Sequence, residues 1–128
     1  MGAPAQITDE SRGVARQSVC DAFDTVRRGI TINTNASAPG GPGDVAGGMA
    51  VAANARLALL GGGEYLLSKL EPAVPTDLGD ATRTFATTLL DIGALSIAGI
   101  PTTDPAQTDR MRSADALSAE IAGLCGSA

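Results

Sequence analysis

The chain has 128 residues, enough for one domain that buries about two-thirds of its unfolded surface, and too few for two such domains. Its apolar content comes from Ala, Leu, Ile and Val, with two Phe, one Tyr and no Trp, which suits close-packed helices better than a sheet rich in aromatic and β-branched residues. Fourteen acidic against nine basic residues give a net charge of −5, a balance that repels phosphate backbones and argues against nucleic acid as a partner.

The opening MGAPAQITDE has neither the basic start nor the apolar run of a secretory signal. Gln6 stands where a myristoylation motif needs Ser or Thr. Polar or charged residues interrupt every apolar run, so no segment of this sequence is expected to span a membrane. Met-Gly directly ahead of a helix signal reads as a trimmed start, and an anchoring segment is expected outside these residues.

Thr8 is placed to cap a first helix, with Asp9 and Glu10 at the positive end of its dipole. Val19, Phe23, Val26 and Ile30 then recur at helical spacing as one apolar stripe. Residues ahead of Val19 are more polar, so 1–18 is expected to project in part as a stalk from a single domain covering 1–128. The pattern decays through Thr31 to Asn35, and SAPGGPGD (Ser37 to Asp44) is turn chemistry.

Asp44 caps the second helix, expected to be the central one, in which Ala50, Ala52, Ala53, Ala55 and Ala58 sit among leucines. Gly61 to Gly63 interrupt it at a cost of about 1 kcal/mol each relative to Ala. The apolar phase nevertheless continues through Leu66 and Leu70, which predicts one kinked helix and not two elements. After EPAVPTD, Thr76 is the expected cap of a third helix, whose inward face is Leu78, Ala81, Phe85, Leu89 and Ile92. Asp104 as N-cap, Pro105 at N1 and Gln107 at N3 open a fourth helix that turns Ala114, Leu117, Ile121 and Leu124 inward.

Four helices joined by short turns predict an all-α, antiparallel up-down-up-down four-helix bundle. In that topology the end of helix 4 lies beside the start of the packed part of helix 1, which brings Cys125 to Cys20. A disulfide joining helices 1 and 4 is expected, and with it an oxidising compartment. Two separate buried thiols are the alternative. A metal site is disfavoured because two cysteines without a histidine supply half of a structural zinc set.

The absence of His removes Ser-His and Cys-His nucleophile systems and the Glu-x-x-His ligands of di-iron bundles. Asp21 with Asp24, and Asp77 with Asp80, read as solvated helix faces, and Asp91 reads as a polar position between two apolar stripes. Glu64 and Tyr65, just after the glycines, are candidate ligand contacts. Neither glycine-rich run matches a phosphate or dinucleotide fingerprint. No catalytic residue, metal or cofactor is expected.

The segments VCDAFDTVRRGI, VAANARLALLGGGEYLLSKL and IAGLC resemble the Ala-rich extracytoplasmic helical domains of mycobacterial and other actinobacterial membrane-anchored proteins. That resemblance implies a cell-envelope location and no assigned site residues. The leading expectation is therefore a non-catalytic extracytoplasmic domain, anchored through a segment outside these residues and acting through contacts with an envelope or membrane protein. Ile100, between exposed Pro and Gly turns, is the candidate partner contact. The alternative is a carrier of a lipophilic small ligand within the bundle, for which an internal apolar cavity is the discriminating feature.

Overall fold

The computed structural model describes residues 6–126. It contains α1 (Asp9–Thr34), α2 (Val45–Ser68), α3 (Thr76–Ile97) and α4 (Pro105–Leu124), with no strand among the described residues. Each helix packs on its neighbour in the chain, which makes the expected up-down-up-down bundle. One end holds the start of α1, the EPAVPTD turn and the finish of α4. The other holds SAPGGPGD and GIPTTDP.

Helix starts follow local chemistry. Thr8 Oγ1 accepts from the Ser11 backbone N–H at 3.0 Å, and Ser11 Oγ accepts in return from the Thr8 N–H at 2.8 Å. Asp44 accepts from the Gly47 N–H at 2.8 Å, and Asp104 from the Gln107 N–H at 3.1 Å. The third start differs from expectation: Pro75 is the N-cap and makes no side-chain cap bond, while Thr76 is already helical. The fixed φ of proline orients the chain for entry into the helix without a hydroxyl.

The core is concentrated at the end where α1 begins. Val19, Phe23, Leu66, Leu78 and Ile121 are almost wholly enclosed there, and the Phe23 and Phe85 rings meet edge-on with centroids 5.7 Å apart. Burial starts at Ala15, which is 1% exposed, a turn earlier than the apolar stripe suggests. Alanine is small enough to pack before the first large side chain arrives. Residues 6–14 are exposed or half-buried, and the first five residues of the expected stalk lie outside the described residues. Within α3, Thr82 is fully buried and its hydroxyl has no hydrogen-bond partner.

The disulfide is present. Cys20 and Cys125 join α1 to the end of α4 with a Cα–Cα distance of 5.7 Å and a sequence separation of 105. α1 and α4 otherwise approach each other far less than the other adjacent pairs do. Beside the bridge, Arg16 Nη2 donates to the Leu124 carbonyl at 2.9 Å. The covalent bond thus holds the seam that packing holds least.

One expectation for the second helix is corrected. It packs between α1 and α3 as a central helix does, yet only Gly63 and Leu66 are buried among its 24 residues. It is also apolar enough to cross a membrane by length and composition alone, with a mean hydropathy of 1.3 over an 18-residue window. Interruptions by Asn54, Arg56 and the glycines lower the average too little to remove that property, because the alanines around them are themselves mildly apolar.

The three glycines lie inside one unbroken helix, and the structure separates their roles. A Cβ on Gly63 would stand 2.8 Å from the Ala86 carbonyl oxygen, and one on Gly62 would stand 2.7 Å from Val26 Cγ1. Gly61 faces open space. Gly93, across the α2–α3 seam, makes a similar close fit to Leu60. Glycine therefore lets two backbones approach where any side chain would separate them.

Two outcomes follow for stability. Cross-linking across a loop of about 100 residues contributes about 4 to 5 kcal/mol in the chain-entropy model, so denaturant unfolding of reduced protein should shift by up to that amount. A shift below about 1 kcal/mol would contradict this account of the bridge. In the glycine run, Gly61→Ala should stabilise by about 0.5–1 kcal/mol through helix propensity. Gly63→Ala should destabilise by about 1–3 kcal/mol through overpacking. Equal effects of the two changes in urea melts would overturn the assignment of roles.

Candidate functional site

Away from the packed end, the bundle does not fill. An open cavity of about 910 Å³ lies among all four helices. Its wall from α2 is low at Ala52 and Ala55, and Arg56 and Leu59 are the larger side chains there. α1 contributes Ile30, Thr31 and Thr34, and α4 contributes Met111, Ala114 and Ser118. Phe85, Leu89 and Ile92 of α3 close the cavity toward the core, and the Gly99–Thr102 connection rims its outer end. Small residues at facing positions together with a sparsely packed α1–α4 seam leave this volume, which lies near the upper end of the range for small-molecule sites, about 300–1,000 Å³.

Nine of the 21 lining residues are polar or charged, and they stand among aliphatic and aromatic walls. Gln107 is fully buried, its Nε2 donating to the Ile92 carbonyl at 3.2 Å and its Oε1 accepting from Arg110 Nη1 at 3.1 Å. The N3 side chain thus joins α4 to α3 and does not complete the capping box that the sequence suggests. Arg56 of α2 reaches across to α3, where its Nε donates to Ser96 Oγ at 3.1 Å. Arg27 of α1 lies with its guanidinium carbon 5.2 Å above the centre of the Phe23 ring, and its Nη2 is 3.8 Å from Asp24. Asp115 is the acidic residue in the lining.

The residues singled out in the sequence are not brought together. Ile100 lines the cavity rim and is 37% exposed. Tyr65 borders a separate groove of about 330 Å³ between α1 and α2, with Lys69 Nζ 5.0 Å from the centre of its ring. Glu64 faces solvent and lines neither hollow. Asp91 is likewise exposed, and Asp21 accepts from Gln17 on the surface of α1. Among the described residues, no group of three or more His, Cys, Asp or Glu side chains is arranged to hold a metal.

Sequence reasoning missed Arg56, Ser96 and Gln107. A usable signal existed for the first: Arg56 is the one charged residue between Val45 and Gly63. For Gln107 the capping pattern itself concealed the inward role. The cavity left no positive mark, since a hollow arises from what several alanines fail to fill.

A comparison with protein-family models, curated proteins and solved structures finds no match to the chain. The class of molecule is therefore set by its geometry, a disulfide-locked antiparallel four-helix bundle with an open apolar cavity.

Truncating Gln107 removes a buried α3–α4 hydrogen bond and enlarges the cavity, so Gln107→Ala should cost about 1–3 kcal/mol in urea unfolding. Glu120→Ala, at an exposed position of the same helix outside the cavity, should change stability by less than about 0.5 kcal/mol. Equal stabilities would show that the amide bridge contributes nothing.

Proposed function

We propose that this is a non-catalytic extracytoplasmic domain of the cell envelope that holds a lipophilic small ligand in the cavity among its four helices. The observation that carries the reading is the open cavity of about 910 Å³ with aliphatic and aromatic walls. The disulfide is compatible with an oxidising, extracytoplasmic location. A membrane-anchored, actinobacterial origin is consistent with the Ala-rich helices and the paired cysteines.

A second observation supports contact with an envelope or membrane protein. Ile32, Val45, Met49 and Ile97 are each more than half exposed, and all lie near the bundle end that carries the two Pro/Gly connections. Apolar residues gathered on one end mark a contact surface. A carrier must meet a donor or acceptor where its ligand enters, so docking at this end and ligand binding are compatible roles.

An uncharged solvatochromic dye such as Nile red tests the carrier reading. The oxidised protein should bind it at one site, with a blue-shifted emission. Ala55→Phe, which projects a ring into the hollow, should weaken binding about tenfold or more while circular dichroism and the thermal melt stay unchanged. Undiminished binding by a folded Ala55→Phe protein would remove the cavity as the site.

A further inference from the structure

We infer that the ligand of this cavity is a single-chain amphiphile with a carboxylate head, bound at Arg56 and Ser96, an assignment that rests on the carrier reading above. The argument begins with the placement of charge on α2. From Val45 to Gly63 this helix carries one charged side chain, and it has ample exposed surface on which to place it. Arg56 is instead half-buried at the cavity wall and tied to the facing helix through Ser96.

No carboxylate lies within 4 Å of Arg56 among the described residues, whereas Arg27, the other cation in the lining, has Asp24 at 3.8 Å. The bond to Ser96 uses only the Nε–H of Arg56, so both Nη groups remain able to donate. Ser96 Oγ accepts in that bond and keeps its own proton for donation. A partly desolvated guanidinium with a neighbouring hydroxyl, fixed in place and unneutralised, complements a carboxylate, which accepts two parallel N–H bonds.

The remainder of the ligand follows from the walls. Ile30, Leu59, Leu89, Ile92 and Met111 provide an aliphatic lining with no charged group of their own. An alkyl chain fits such a surface because each methylene buried gains hydrophobic free energy and needs no hydrogen bond. Methionine adapts to chains of differing shape. About 910 Å³ accommodates one such chain and its head, within the range of small-molecule sites.

The test compares hexadecanoate with hexadecanol, which share a chain and differ in head charge, by displacement of Nile red from the oxidised protein at low ionic strength. Hexadecanoate should bind about tenfold or more tightly, as expected for charge-assisted hydrogen bonds. Arg56→Gln should abolish that preference and leave hexadecanol binding unchanged. Ser96→Ala should reduce the preference, and Arg27→Gln should preserve it. If neither compound binds, the carrier reading itself fails. If both bind equally to the native protein, the cavity reading stands and the carboxylate assignment is overturned. A preference that survives Arg56→Gln and vanishes in Arg27→Gln would likewise overturn the assignment to Arg56.

Discussion

The contact of α2 with α3 at Gly63 is made backbone to backbone, with the Ala86 carbonyl so near that a methyl group has no room. Gly93 repeats the fit from the opposite helix, one stage further along the same seam. These close approaches fix α2 and α3 as a tight pair, with α1 on one flank and α4 on the other. The hollow is the geometric complement of that tight seam. Helices drawn together on one side of a four-membered ring leave the opposite side to be closed by something else, and α1 and α4 have little side-chain contact with which to close it.

The architecture was legible because its determinants are local and periodic. Val19, Phe23 and Val26 recur at helical spacing and are all buried, as are Leu78, Ala81, Phe85, Leu89 and Ile92 on α3. Thr8, Asp44 and Asp104 cap as their chemistry requires. The pairing of Cys20 with Cys125 could be read because topology alone brings those two positions together.

What escaped the sequence depends on distances between helices, which periodicity does not encode. Small residues on α2 can mean close packing or an unfilled space, and both occur in one helix: close packing at Gly62 and Gly63, and open volume beside Ala52 and Ala55. Glu64 and Tyr65 attract attention as polar groups after glycines, yet they lie outside the cavity, while Ile100 reaches its rim. Gln107 has the residue type and position of a cap, and only the neighbouring helix reveals that its amide is spent on the Ile92 carbonyl. A cavity assembled from four or five residues of each of four helices leaves no local motif.

The bridge between Cys20 and Cys125 also decides how the domain responds to being pulled. Its two Cα atoms are 5.7 Å apart, although they are separated by 105 positions in the chain. Tension applied through the chain on either side passes from one cysteine to the other through covalent bonds and bypasses the helices enclosed between them. The chain between Cys20 and Cys125 cannot be drawn out, so α2, α3 and the cavity lie outside the load path. Non-covalent folds resist extension only for as long as their unfolding rate allows. Here a sulfur–sulfur bond sets the mechanical limit, so the hollow among the helices keeps its shape while the flanking chain is under strain.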